Sequence, residues 1–155
     1  MTKILMVCLG NICRSPLAEG ILKDKVTKKG LNVMVDSAGT SNVHQGENPD
    51  SRSIQNAKSH GIDISNLKAR QFKTADFDHF DKIFVMDASN FNDVISLARD
   101  EKDKAKVNLI LNSTFPKENR SVPDPYFGGQ DGFETVFQLL DKATDAIVNS
   151  LDRTN

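Results

Sequence analysis

Hydrophobic positions along the chain alternate between short continuous runs and helically spaced stripes. From Lys3 to Cys8 the run is continuous, as in a central parallel strand buried on both faces. Leu17, Ile21, Leu22 and Val26 then recur at helical spacing behind Pro16, which suits a first helical turn, and Gly30 supplies the stop. Val33 to Val35 is a second short strand. The segment from Ser37 to Asp50, rich in Gly, Ser and Asn, reads as a loop of the kind that meets substrate. A helix is predicted from about Ser51 or Arg52 to His60, closed by Gly61, with a polar loop following through Phe72. Thr74 is placed to cap a short turn carrying Phe77 and Phe80.

Lys82 to Met86 is the third strand, with Asp87 at its end. Ala88 to Arg99 follows as a helix with Phe91, Val94, Ile95 and Ala98 on one face, and the charged run from Arg99 to Lys106 reads as a solvated connection. Val107 to Leu111 is the fourth strand. Asn112 to Gln130 is a long loop holding Pro116, Pro123, Pro125 and Gly128-Gly129. The last helix begins near Asp131, with Glu134 placed to complete a capping box, and Phe133, Val136, Phe137, Leu140, Ile147 and Leu151 trace its apolar stripe. Strand and helix in alternation predict an α/β fold: a four-stranded parallel sheet with helices on both faces. Ligands of such sheets bind outside the carboxyl ends of the strands, and Cys8 ends the first.

Composition narrows the function classes. A chain of 155 residues without a linker-like shift or repeat is expected to form one domain with a proper core. Lys and Arg number 20 against 21 Asp and Glu, so a net charge of −1 gives no polyanion-binding surface and argues against nucleic acid as a partner. Two cysteines, Cys8 and Cys13, and the scattered His44, His60 and His79 make neither a disulfide scaffold nor a zinc site. No apolar stretch nears the ~20 residues of a membrane span, and the short run after Lys3 serves better as a strand than as a signal peptide. The expected setting is cytoplasmic, without membrane attachment.

The stretch Val7 to Pro16 carries the chemistry. A strand that delivers Cys8 to the mouth of a helix sets a thiol beside unpaired N–H groups, which bind anions and favour thiolate over thiol. Arg14 adds a planar fork suited to two oxygens of one phosphate. Ser15 offers a hydroxyl to the sulfur, and Gly10 lets the backbone turn. The backbone N–H groups from Leu9 through Gly10, Asn11, Ile12 and Cys13 to Arg14 would hold the phosphoryl oxygens, making a phosphate-binding loop after the first strand. Asn11 reads as a brace for an awkward turn. Cys13 either packs inside the cradle or traps oxidised Cys8 as a reversible disulfide.

Cys8-Leu9-Gly10-Asn11-Ile12-Cys13-Arg14-Ser15-Pro16, with Ala18-Glu19, resembles the signature of low-molecular-weight protein tyrosine phosphatases. The likeness continues in Asp36-Ser37-Ala38-Gly39-Thr40, His60-Gly61-Ile62, Ala69-Arg70-Gln71, Met86-Asp87 before Ser89-Asn90, and Asp124-Pro125-Tyr126. It implies a cysteine-dependent hydrolase of phosphotyrosine monoesters that works through a phosphocysteine and needs no cofactor or metal. It implies a tyrosine-phosphorylated protein as substrate, with a tyrosine kinase among the candidates. Monomer or weak dimer is the expected assembly.

A departing phenolate needs a proton from a substrate-facing acid. Asp124, stiffened by Pro123 and Pro125, reads from local sequence either as that acid or as a turn residue, and the resemblance selects the acid. Tyr126 and Phe127 would wall an aromatic leaving group. Arsenate reductases of similar fold need further cysteines, and none follows Cys13. Protein-arginine phosphatases carry Thr where Ile12 stands, and Ile12 favours a phenyl ring instead. A module that binds phosphotyrosine without turnover is the non-enzyme alternative. Two departures from the family pattern stand out. Val43, or alternatively His44, falls where a flanking aromatic is common, and Leu67 falls near a usual histidine.

Overall fold

The computed structural model describes residues 1–126 and 128–154; Phe127, expected in the substrate wall, lies outside the described residues. Four parallel strands, β1 (Thr2–Cys8), β2 (Val33–Gly39), β3 (Lys82–Val85) and β4 (Val107–Leu109), form a sheet in the order β2-β1-β3-β4. Side chains of β1 alternate between two cores, as a strand's period of two demands. Ile4, Met6 and Cys8 face α1 (Arg14–Lys28) and α6 (Gln130–Thr154), while Leu5 and Val7 face Phe72, Phe77, Phe80 and Val94. The α/β expectation is met. The chain leaves β1 for β2 on one side and returns as β3 on the other, so the switch point lies at the carboxyl end of β1.

α1 ends in a Schellman turn: the Leu31 N–H reaches the Val26 carbonyl at 2.9 Å and that of Gly30 the Thr27 carbonyl at 3.1 Å, with Gly30 at φ +64°. Several boundaries differ from the sequence reading, each for a tertiary reason. β2 continues past Val35 to Gly39, because Ser37 and Asp36 find polar partners on Glu19 and Arg70. Thr74 makes no side-chain cap; the Asp76 carboxylate accepts from the Lys73 N–H at 2.8 Å ahead of α3 (Asp76–His79). α4 (Ala88–Ser96) stops before Arg99, whose guanidinium is drawn between Asp78 and Asp103.

The charged run is therefore no solvated connection. It holds α5 (Glu101–Ala105), capped by the Asp100 carboxylate on the Asp103 N–H at 2.9 Å. β4 ends at Leu109, where Ile110–Ser113 turns into a 3₁₀ helix. α6 starts at Gln130, with Asp131 already in its first turn, and Glu134 closes no capping box. Its carboxylate instead meets Asn56 and His60, each at 2.8 Å, around α2 (Ser51–Ser59). Among the described residues no helix is long and apolar enough to cross a membrane.

Candidate active site

The loop between β1 and α1 wraps the end of the sheet. Its carbonyls are tied outward: Cys8 and Leu9 accept from the Thr40 and Ser41 N–H groups at 2.9 Å, and Ile12 from Asp50 at 2.8 Å. The Ser53 hydroxyl reaches the Cys13 carbonyl at 3.3 Å. Among the described residues, the N–H groups of 9–13 take no protein acceptor. Cys13 stands at the helix N-cap without a side-chain cap, so the mouth of α1 keeps its orphan donors for an anion.

Asn11 sits at φ +59°, a left-handed conformation that Asn tolerates better than most residues. Its side chain holds that turn from beneath. The carbonyl oxygen accepts from the Arg70 N–H at 3.0 Å, while the amide nitrogen donates to Ser15 at 2.8 Å and Ser37 at 2.9 Å. The Ser37 hydroxyl in turn donates to the buried Glu19 carboxylate at 2.5 Å, and Lys23 pairs with that carboxylate. The bracing is thus complete without a histidine at Leu67, which packs against the core. Ser15 Oγ accepts from Asn11, and its one hydrogen has two acceptors in reach, Cys8 Sγ at 3.0 Å and the Ala38 carbonyl at 3.5 Å.

Arg14 is nearly fully buried at 3% exposure. One guanidinium nitrogen donates to Asp87 at 2.7 Å and to the Val122 carbonyl at 3.0 Å, and the other lies 3.8 Å from Asp124. A buried Arg on two anchors is oriented before any ligand arrives. Asp87 also caps α4, accepting from the Asn90 N–H at 2.8 Å. The Asp124 carboxylate accepts from the Tyr126 N–H at 3.0 Å, and Asp124 stays about two-fifths exposed over the cleft.

That cleft measures about 410 Å³ and is lined by Cys8, Leu9, Gly10, Ile12, Cys13 and Arg14 on one side, and by Val43, His44, Asp124 and Tyr126 around its mouth. Residues expected from distant parts of the sequence therefore meet here. Asn11 and Ser15 lie beneath the lining rather than in it. Val43 is a rim residue, 76% exposed, while His44 packs toward Gly10, where a Cβ would come within 3.0 Å of the imidazole. Both alternatives at the flanking position face the cleft. Both cysteines are free thiols, and burial and the nearby Asp50 carboxylate push the Cys13 thiol up to about 12.

The sequence reading gave no role to Asp87, Ser37, Arg70, Glu19, Asp50 or Arg52. The signal for the first four was their place in the short motifs that carry the family resemblance. Asp50 and Arg52 had no such signal.

The family described as low molecular weight phosphotyrosine protein phosphatase matches residues 3–155. This chain belongs to that family. A Schizosaccharomyces pombe low molecular weight phosphotyrosine protein phosphatase is 43% identical, covering 91% of this chain and 94% of that one. The crystal structure of a protein tyrosine phosphatase from Entamoeba histolytica superposes with a TM-score of 0.93 at 35% identity, covering 99% of both chains. A Drosophila arginine phosphatase superposes at 0.89 with 35% identity, covering 96% of this chain and 97% of that one. For this family member, the loop from Cys8 to Arg14 is the segment that the fold carries at the sheet's switch point.

Proposed function

We propose that this phosphatase hydrolyses phosphotyrosine in proteins through a phosphocysteine at Cys8. The observation that carries the reading is the meeting of Cys8, Arg14 and Asp124 around one cleft whose floor offers free N–H groups. The three phosphoryl oxygens lie on the N–H groups of the cradle and on Arg14, which stabilise the charge that builds in transfer. The Cys8 sulfur attacks phosphorus as the phosphorus–oxygen bond to the phenol breaks, and Asp124, in its acid form, protonates the departing oxygen. Water then attacks the phosphocysteine, giving its proton to the Asp124 carboxylate. The sulfur–phosphorus bond breaks and inorganic phosphate leaves. Ser15 steadies the sulfur when it carries negative charge.

Ile12, Leu9 and Tyr126 make the cleft apolar around the ring, which supports a phenyl phosphate over a phosphoguanidinium. The test is phosphate release from phosphotyrosine, phosphoserine and phosphoarginine peptides, with wild type beside Cys8→Ser and Asp124→Ala. Phosphotyrosine turnover is expected, abolished by the first change and slowed by ~10²-fold or more by the second. Preference for phosphoarginine would overturn the substrate, and binding without turnover would overturn the enzyme reading.

A further inference from the structure

The first turn of α2 touches both sides of the cleft. On the cradle side, the Asp50 N–H holds the Ile12 carbonyl at 2.8 Å and Ser53 reaches that of Cys13. On the other side stands Arg52. Its guanidinium clasps the Asp50 carboxylate through two bonds of 3.0 Å, an arrangement that keeps the Asp50 carboxyl below the ordinary range. The same group donates to the Gly128 carbonyl at 3.2 Å. It also lies 5.5 Å from the Tyr126 ring centroid and 4.8 Å from that of Phe133 at the start of α6, within cation–π range of both.

Among the described residues of the segment that carries Asp124, Pro125 is buried while Asp124 and Tyr126 stay exposed. The bonds from Tyr126 N–H to Asp124 and from Gly128 N–H to Pro125 are local to it. Val122 is tied to Met86, but that tie precedes the acid. Arg14 approaches Asp124 only at 3.8 Å, and its fork is committed to phosphate in the reaction. Arg52 therefore spans from the cradle's support to the far side of the acid loop. Bidentate pairing and ring stacking use the planar fork in a way a flexible ammonium does not reproduce.

We propose that Arg52 is a positioning residue for the general acid: clasped to Asp50 and laid against Tyr126 and Phe133, it sets the distance between the Asp124 loop and the Cys8 cradle. The inference rests on the reading of Asp124 as the acid. An acid held at its working distance matters most when the leaving oxygen is basic, and displacements below 1 Å already weaken such transfer. Arg52 touches neither the reacting atoms nor the cradle N–H groups; its tie to the cradle runs through the Asp50 carboxylate, whereas the contact that holds Ile12 is the Asp50 N–H, which an Arg52 substitution leaves in place.

The experiment compares kcat/KM for a nitrophenyl phosphate, phenyl phosphate and a phosphotyrosine peptide in wild type, Arg52→Ala, Arg52→Lys and Asp124→Asn, each verified as folded by its melting curve. Inhibition by inorganic phosphate is measured in parallel. Arg52→Ala is expected to lose about tenfold on phenyl phosphate and the peptide, and under about threefold on the nitrophenyl ester, with phosphate inhibition unchanged. Arg52→Lys is expected to recover part of that loss. An equal loss across the three substrates, or weakened phosphate inhibition in step with it, would overturn the positioning role even if Asp124→Asn steepens the series. A flat series for Asp124→Asn would instead overturn the acid assignment on which the inference stands.

Discussion

Adding a single methyl group at Gly39 tests how rigidly the cradle is held. Gly39 ends β2 in register with Cys8, and its backbone is pinned from two sides. Its N–H donates to the Arg70 carbonyl at 2.8 Å, and its carbonyl accepts from the Phe72 N–H at 2.7 Å. A Cβ built there lies 2.7 Å from the Leu9 carbonyl oxygen and 3.0 Å from both the Asn11 nitrogen and the Gly10 carbonyl carbon. All three are cradle backbone atoms. The closest approach is about 0.7 Å inside ordinary contact, and no rotamer change relieves it.

Overpacking of this kind costs about 1–3 kcal/mol, and the lower chain entropy of unfolded Ala returns about 0.4–1 kcal/mol. Gly39→Ala therefore stays folded, destabilised by about 1–2 kcal/mol in urea titration, with the strain shared by Leu9, Gly10 and Asn11. Shifts of a few tenths of an ångström in the anion-holding N–H groups are expected to lower kcat/KM on a phosphotyrosine peptide by about 10- to 100-fold and to weaken inhibition by inorganic phosphate. Gly30→Ala is the control. Its φ of +64° costs about 1–2 kcal/mol for a side chain, but nothing lies within 4 Å of the new carbon, so stability falls while kcat/KM holds. A folded Gly39→Ala with unchanged kcat/KM and phosphate inhibition would refute the argument that Gly39 buttresses the cradle.

Three further outcomes follow from the same contacts. Asn11→Ala removes three side-chain hydrogen bonds and leaves a non-Asn residue at φ +59°, so about 2–4 kcal/mol of stability and most turnover should go; an unchanged urea midpoint would count against the brace. His60, Gln138 and Asn56 hold the Glu134 carboxyl down at about 2, so its charge stabilises the fold above the unfolded carboxyl value and that contribution fades as pH falls through about 2. Glu134→Gln should thus cost under about 1 kcal/mol at pH 7, since the group is half exposed, and the gap to wild type should narrow in melts toward pH 3; a constant gap would speak against it. With the Cys13 thiol pushed up to about 12, iodoacetamide at neutral pH should label Cys8 and spare Cys13, read by peptide mass spectrometry; prior labelling of Cys13 would contradict its buried, protonated state.

Much of the molecule was readable along the chain because its determinants are local. The apolar run into Cys8, the glycine and asparagine that permit the turn, and the Arg and Ser at the mouth of α1 are contiguous, so spacing alone placed a thiol beside a loop of unpaired N–H groups. Asn11 was legible as a brace for the same reason, since a left-handed turn belongs to one residue. Reading Asp124 as the acid needed the family resemblance, because a proline-flanked Asp is locally indistinguishable from a turn residue. The strand that ran on past Val35 was missed because Asp36 and Ser37 look solvent-facing until Arg70 and Glu19 arrive to satisfy them.

Other features had no local trace. Asp87 became the anchor of Arg14 only when β3 was laid beside β1, and the outward ties of the cradle carbonyls came from Thr40, Ser41 and Asp50. Arg52 pairs locally with Asp50, but its contacts with Phe133, Tyr126 and Gly128 came only with α6 and the Asp124 loop. These are pairings between charges and dipoles far apart in sequence, whose strength depends on distance and burial. The chain itself determined which backbone would leave its N–H groups unpaired and which sulfur would lie among them. Only the packed sheet decided what holds that arrangement still, because a buried polar group must find its partner in space and the order of residues does not say where that partner will be.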